Sequence, residues 1–191
     1  ERKNITELDS EFKEAEKGLA PFHWILDEEP MKKQIAIALQ RHEEQKARAK
    51  TRYKPLLFIV TMSIAEGERA QKMLQERFKI KTLLVTQESD DEQRQEAMTI
   101  GDFESKYEAV VSVLMLREGW DVPQVSTILL LRKFSSPVYG QQVIGRGLRK
   151  IIRNQEEREI LAVVDHPRLE HDWLWRLVAV SKVKQNISDK D

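Results

Sequence analysis

Gln142, Arg146 and Arg149 are the residues of this chain whose types and spacing indicate chemistry most directly. At about 100° per residue on a helix, the three side chains fall within a sector of roughly 60°. Arginine stays charged at physiological pH, and its planar guanidinium binds two oxygens of a phosphate or carboxylate at once. One helix face with an amide and two guanidiniums is therefore a candidate surface for close contact with another molecule. The alternative is a surface helix with a solvated basic face.

Two glycines in the same predicted helix, Gly145 and Gly147, count against a purely structural surface helix. Glycine in a helix interior costs about 1 kcal/mol relative to alanine, and a helix that only covers a sheet does not need it. A helix that another body must approach closely does need it. The opposite side of this helix is expected to pack on a sheet through Val143, Ile144, Leu148 and Ile151.

A second group of candidates lies in residues 116–125, LREGWDVPQV, directly after an apolar run. Gly119 permits a tight turn, Asp121 offers a carboxylate, and Pro123 stiffens the exit. Ligand sites of open parallel sheets form at the carboxyl ends of strands, so this loop is a candidate site. Alone it indicates little more than a turn; together with the arginine face it is a stronger signal. Trp120 is a candidate for stacking on a base or adenine, and packing within the loop is the favoured alternative.

Apolar runs that alternate with amphipathic segments predict the elements that position these residues. The predicted strands are 56–61, 82–86, 109–116, 126–131 and 159–164. Predicted helices follow at 63–78, 90–103, 139–150 and 171–183. This alternation indicates βαβ units around a parallel sheet. The sequence contains no G-x-x-x-x-G-K-[ST] loop and no G-x-G-x-x-G after a strand, so it lacks a phosphate loop of its own.

Composition narrows the classes of site and partner. The 191 residues include 32 basic and 32 acidic residues and no cysteine. A nucleic-acid surface must therefore be a local patch, and thiol nucleophiles and cysteine-ligated metals are excluded. The lack of cysteine suits a cytoplasmic location, which we expect, and the absence of a long apolar run predicts no membrane partner. The first residue is glutamate, which suggests a fragment of a longer protein.

The acidic and histidine residues near the end of the last predicted strand could be interpreted as a metal site. The segment reads DHPRLEHD, residues 165–172. A strand end followed by a capped helix explains these residues better, and we predict no metal site.

Three segments resemble motifs of superfamily-two helicases and translocases. QVIGRGLR (142–149) matches the Q-x-x-G-R-x-x-R form of motif VI, SVLMLREGWDVPQV (112–125) resembles motif V, and PLLFIVTMSIAEGERAQKML (55–74) resembles the motif IV region. Order and spacing match the second RecA-like lobe of such a motor. EGWDVPQV and GRGLRK look most like the helicase (Res) subunit of type III restriction enzymes, and less like DEAD-box RNA helicases.

The resemblance implies an α/β fold with three layers, in which helices cover a RecA-like parallel sheet that lacks the P-loop of related NTPases. It also implies three regions. Residues 1–50 would form a helical arm linked to a missing first lobe, residues 51–166 the helicase C-terminal domain, and residues 167–191 a C-terminal helix and tail. The first lobe of the same parent chain is thus a predicted partner.

The resemblance further implies that ATP lies between the two lobes, with Mg²⁺ held mainly by the first lobe. Arg146 and Arg149 would reach the γ-phosphate across the cleft, and Gln142 would orient groups there through hydrogen bonds. The nucleotide would also be lined by Gly119, Asp121 and Gly145, with Asp121 on the ribose.

Nucleic acid would be bound through its sugar–phosphate backbone. Many members of the family have a threonine near the end of the motif V strand, whereas this chain has Ser112 there. The residues that the resemblance assigns to this contact are Thr61, Ser63 and Ser112. Backbone contacts carry no information about base sequence, which suits a translocase.

Together, these features predict the C-terminal motor lobe of an ATP-dependent DNA helicase or translocase, inactive when separated from the first lobe. Nuclease or modification subunits are further candidate partners. One alternative is a catalytically silent RecA-like scaffold that binds nucleic acid or protein; a scaffold would need neither arginine. The other alternative is an RNA helicase lobe, which backbone contacts alone do not distinguish from a DNA motor.

Overall fold

Five parallel strands form the central sheet, in the order β2-β3-β1-β4-β5. The computed structural model describes residues 27–113, 120–134, 137–152 and 159–176, without the side chain of Tyr139. The strands are β1 (Leu56–Thr61), β2 (Thr82–Val85), β3 (Ala109–Val113), β4 (Val125–Leu130) and β5 (Ala162–Val164). Every strand residue except Leu84 is buried, as expected for continuous apolar runs covered on both faces.

The described ranges contain four α-helices, which are α1 (Glu28–Ala49), α2 (Ile64–Glu76), α3 (Asp91–Met98) and α4 (Pro137–Gly147). A short 3-10 helix follows at Pro167–Leu169, and residues 172–176 are helical. Helices α2 and α3 each begin at a capping box. Ser63 accepts a hydrogen bond from the backbone N–H of Glu66, and Asp90 accepts one from Gln93.

The helices cover both faces of the sheet. Helix α1 contacts α2 and lies on β1, β4 and β5. Helices α3 and α4 lie on the other face, because right-handed crossovers that run in opposite directions along a sheet place their helices on opposite sides. The predicted three-layer α/β architecture with a parallel sheet is therefore confirmed.

Helix α1 shows that residues 28–49 of the predicted arm are packed on the sheet. Its buried side includes polar residues among the apolar ones and consists of Met31, Gln34, Ile35, Ala38, His42, Gln45 and Ala49. The Gln45 amide donates to the carbonyl oxygens of Ser126 and Ile160, at 3.0 and 2.8 Å. Residues 1–26 lie outside the described ranges, and the link to a first lobe stays a prediction.

Element boundaries differ from the predicted ones at several ends. Strand β5 begins at Ala162 rather than at 159, and the carboxylate of Glu159 instead accepts hydrogen bonds from the backbone N–H groups of Ile151 and Ile152. The predicted strand residues 114–116 and the predicted helix beyond residue 176 lie outside the described ranges. In the part of the chain that is described, no helix has the length and apolar character needed to cross a bilayer.

Candidate nucleotide and nucleic-acid sites

Helix α4 carries part of the predicted arginine face and ends at Gly147. Val143 and Ile144 are buried and face the sheet, whereas Gln142 is exposed. The prediction of a helix through residue 150 is wrong, because the chain turns at Leu148 and that side chain is 64% exposed. Leu148 therefore does not belong to the apolar side of the helix.

The two glycines of α4 have different surroundings. A Cβ built on Gly147 would lie 2.5 Å from Leu161 Cδ1 and 3.1 Å from Ile128 Cδ1. Gly147 thus permits close packing on the chain's own sheet, which corrects the expectation that it serves approach by another body. A Cβ on Gly145 would meet no atom of the described chain within 4 Å. Gly145 is therefore the glycine that leaves the outer surface of α4 open.

Arg146 is held by Trp120 in the connection between β3 and β4. Its Nη1 donates to the Trp120 carbonyl oxygen, and its guanidinium carbon lies 5.9 Å from the centroid of the indole ring. Trp120 in turn packs on Phe58, with ring centroids 5.3 Å apart, and donates from Nε1 to the Ala97 carbonyl at 2.9 Å. Trp120 is buried, so packing, the favoured alternative, is confirmed and base stacking is excluded in this conformation.

Arg149 lies beyond the end of α4 and forms an ion pair with Asp121 through Nη1 and Oδ1. The side chains are 50% and 60% exposed, respectively. The prediction that Arg149 shares a helix face with Gln142 and Arg146 is wrong, because the helix has ended by that point. Both arginines nevertheless converge on consecutive loop residues, Trp120 and Asp121.

The described part of this loop, residues 120–124, does not lie at the predicted carboxyl edge. Because β3 and β4 are parallel, the chain between them must return from the carboxyl edge of the sheet to the amino edge. Trp120 packs on Phe58 on the way, and the Gln124 carbonyl accepts from the N–H of Leu56, the first residue of β1. Asp121 and the arginines therefore lie over the face covered by α4, not at the carboxyl edge. Gly119 lies outside the described residues.

The predicted nucleic-acid contacts lie at the carboxyl ends of β1 and β3, separate from the arginines. Thr61 pairs with Val113, and its neighbour Val60 pairs with Ser112. Thr61 and Ser112 are fully buried, so neither hydroxyl is accessible to a nucleic-acid backbone in this conformation, and their assignment as contacts stays a prediction. Thr61 Oγ1 donates to the Ser63 carbonyl at 3.5 Å. Ser63 is exposed, and of the three predicted residues it is the one that a nucleic-acid strand could reach.

A buried hydrogen-bond network, which the sequence pattern alone does not predict, follows β5. His171 Nδ1 lies 2.8 Å from Asp165 Oδ1, and its Nε2 accepts from the Phe134 N–H at 3.2 Å. Because Nε2 accepts this hydrogen bond, it is Nδ1–H that donates to the Asp165 carboxylate. Trp175 Nε1 donates to the other carboxylate oxygen of Asp165 at 3.2 Å. His166 Nδ1 accepts from the N–H of Arg168 and caps the 3-10 helix.

This network has a structural role in the described chain. No group of three metal-ligating side chains occurs within the described ranges. The element that His166 caps is the 3-10 helix Pro167–Leu169, whereas the helix predicted at 171–183 is described only over residues 172–176.

Solved structures of helicase and ATPase domains are similar to this chain. They include Mss116p DEAD-box helicase domain 2 bound to an RNA duplex (TM-score 0.51, 15% identity, covering 70% of this chain and 50% of that one). T4 UvsW is also similar, with a TM-score of 0.54 and 19% identity, over 82% of this chain and 30% of that one. The C-terminal part of the Fun30 ATPase domain is similar with a TM-score of 0.51 and 11% identity, over 82% of this chain and 47% of that one. This chain thus spans half or less of each. At these identities the likeness establishes a RecA-like fold and nothing further.

Comparison by sequence gives one family and no curated relative. No sequence among curated proteins matches the chain. The model of the helicase conserved C-terminal domain matches residues 33–150, beginning inside α1 and ending after Arg149. Because this match covers more than half of the sequence, the chain belongs to the helicase conserved C-terminal domain family.

Proposed function

We propose that this chain is the second motor lobe of an ATP-dependent DNA helicase or translocase of superfamily two. The observation that carries the proposal is the convergence of Arg146 and Arg149 on the loop at Trp120 and Asp121. The two guanidiniums lie beside an open helix surface, and the chain has no phosphate loop. This combination suits a lobe that contacts a nucleotide held mainly by another domain.

The residues present fit a phosphate group better than a metal ion. Arg149 is half-exposed and offers the fork of donors that binds phosphate oxygens. Gln142 and Gly145 lie on the same helix with an exposed side chain and open space, respectively. No cluster of three acidic or histidine ligands occurs in the described ranges. We therefore assign Mg²⁺ to the first lobe and the γ-phosphate contacts to Arg146 and Arg149, with Asp121 at the edge of the nucleotide site.

We propose that Ser63, at the carboxyl edge of the sheet, contacts the nucleic-acid strand. Ser63 is exposed where β1 passes into α2, and its hydroxyl already accepts the Glu66 N–H at 3.3 Å. The hydroxyl hydrogen can still be donated to a phosphate oxygen, since that bond uses only an acceptor lone pair. DNA is preferred because EGWDVPQV and GRGLRK resemble the helicase (Res) subunit of type III restriction enzymes, whose nuclease or modification subunits would then be partners.

RNA is the second candidate substrate. Mss116p domain 2, which has the same fold, was solved bound to an RNA duplex. Stimulation of ATP hydrolysis by matched DNA and RNA oligonucleotides, measured on the parent protein, separates the two candidates. Stronger stimulation by RNA would contradict the DNA assignment.

The proposal is tested by Arg149→Ala in the parent protein that contains both lobes. Arginines that stabilise the transferring phosphoryl group contribute about 10³ to 10⁵ in kcat. We expect DNA-stimulated ATP hydrolysis to fall to background while the affinity for DNA is retained.

Arg77→Ala is the matched control for this test. Arg77 is an exposed arginine that pairs with Glu28 at 3.5 Å, and it caps the end of α2 on the opposite face of the sheet. The control should hydrolyse ATP normally. Near-normal turnover of Arg149→Ala would contradict the proposed function.

A further inference from the structure

The two arginines of the candidate nucleotide site are held in different ways. Arg146 belongs to the last turn of α4 and donates to a backbone carbonyl, that of Trp120. Arg149 follows the helix and pairs with a side-chain carboxylate, that of Asp121. The Arg146 guanidinium is therefore bound to a main-chain carbonyl. The Arg149 guanidinium is paired with a side-chain carboxylate, which another anion can replace.

The partner of Arg146 is itself immobilised. Trp120 is buried, its indole N–H is bonded to α3 through the Ala97 carbonyl, and its ring packs on Phe58 of the central strand. Moving the Trp120 carbonyl would disrupt these contacts at the same time. Arg146 thus has a position that is set by the core of the lobe.

The partner of Arg149 is exposed to solvent. Both members of the Arg149–Asp121 pair are at least half-exposed, and an exposed ion pair changes an equilibrium by a factor of only about two to five. Salt screens such a pair readily. A phosphate carries more negative charge than one carboxylate and binds the guanidinium through two oxygens. The same donors cannot fully serve both groups.

We propose that Asp121 is a positioning residue that holds Arg149 while no nucleotide is present, and that a terminal phosphate must displace it. Arg146 keeps its contact with Trp120 throughout. The proposal rests on the proposed function, since it requires that a nucleotide reaches this face of α4. It differs from a contact of Asp121 with the ribose, because it makes the carboxylate a competitor of the phosphate and not a ligand of the nucleotide.

The competition predicts an effect that depends on the terminal phosphate. Asp121→Asn removes the negative charge and keeps the side-chain shape, so Arg149 is released for the phosphate. We expect the parent protein with this substitution to bind AMP-PNP with Mg²⁺ about two- to fivefold more tightly. Binding of ADP, which has no terminal phosphate for Arg149 to reach, should stay unchanged. Isothermal titration calorimetry of both nucleotides measures this.

Two further variants make the result specific to the pair. In an Arg149→Ala background, Asp121→Asn should have no effect on AMP-PNP affinity, because a coupling energy requires both partners. Asp91→Asn is the matched control, since Asp91 is an exposed aspartate that pairs with Arg94 at 3.7 Å in α3. It should leave both affinities unchanged.

The outcomes separate the inference from the function on which it rests. An unchanged AMP-PNP affinity in Asp121→Asn, or a change shared equally by ADP, would overturn the positioning role. Equal weakening of both nucleotides would instead identify a ribose contact. If Arg149→Ala hydrolyses ATP normally, the proposed function itself fails, whatever the binding data for Asp121→Asn.

Discussion

Gly140, in the first turn of α4, lies against the indole ring of Trp173. A Cβ built on Gly140 would be 2.3 Å from Trp173 Cζ2 and 2.4 Å from Cη2. Trp173 also meets the ring of His171 edge-on, with centroids 5.8 Å apart, and His171 is bonded to Asp165 after β5. The segment that follows the last strand is thus packed against the start of the helix that carries Arg146.

Gly140→Ala should destabilise the chain by about 1–3 kcal/mol, because the added methyl overlaps a rigid ring that must shift with its neighbours. Gly145→Ala is the control, since its Cβ enters open space in the described chain. It should be neutral or stabilising by about 0.5–1 kcal/mol, the helix preference of alanine over glycine. Urea denaturation gives both values, and equal effects of the two substitutions would contradict the contact.

His42 should make the stability of the lobe depend on pH. Burial lowers its pKa from 6.5 to about 4; the charge of Lys46 acts in the same direction, and Glu108 and Glu43 act against it. The carboxylate of Glu108 is 3.9 Å from His42 Nε2, too far for a hydrogen bond. Between about pH 4 and pH 6.5, the unfolded chain therefore binds a proton at His42 that the folded chain does not bind.

Because the unfolded chain binds more protons over this interval, the free energy of unfolding decreases as the pH falls. The stability associated with neutral His42 is fully present above about pH 6.5 and is lost as pH falls towards 4, by up to about 3 kcal/mol. His42→Leu, which cannot titrate, should show a shallower loss of unfolding free energy over this interval. Parallel curves for the two proteins, measured by urea denaturation at several pH values, would show that His42 is not the responsible group.

His171→Ala should destabilise the chain by about 3 kcal/mol. The substitution removes the acceptor of the buried Phe134 N–H and a hydrogen-bond donor to the buried Asp165 carboxylate, and each unsatisfied buried group costs roughly 1–3 kcal/mol. Arg176→Ala, an exposed position in the same segment, should change stability by less than about 0.5 kcal/mol. Thermal and urea unfolding of both variants check the difference, and a similar small effect of both would argue against the network.

The isolated chain should hydrolyse no ATP and bind nucleotides only weakly. Its sequence contains no phosphate loop, and two arginines without a cradle for the other phosphates supply only part of a site. A phosphate-release assay at high protein concentration tests this, with and without DNA. Robust turnover by this chain alone would contradict the assignment as half of a motor.

The strands could be predicted from sequence because each is buried on both faces and therefore reads as a continuous apolar run. Strand β1 occupies the predicted residues without change. The sequence predicts α1 as part of a helical arm linked to another lobe, although its buried positions recur every three or four residues. Gln34, His42 and Gln45 occupy three of these positions. Counting such polar residues as inward-facing would have revealed that α1 covers the sheet.

The site was harder to predict, because its geometry depends on where one helix stops. Extrapolation of a helical wheel through Gly147 placed Arg149 beside Gln142, whereas the chain turns first. The burial of Thr61 and Ser112 was also invisible in sequence, since a hydroxyl at a strand end is compatible with either a covered or an open edge.

The sequence by itself determined the parallel α/β fold and the helicase C-terminal domain family, and it singled out the two arginines as candidates, because apolar periodicity and motif spacing are local properties of the chain. Only the tertiary structure decided what those arginines contact. The connection from β3 to β4 must cross the sheet to reach the amino end of a parallel strand, and this crossing places Trp120 and Asp121 beside α4. Arg146 is thereby tied to the core and Arg149 to an exposed carboxylate, a difference that depends on contacts between segments distant in sequence.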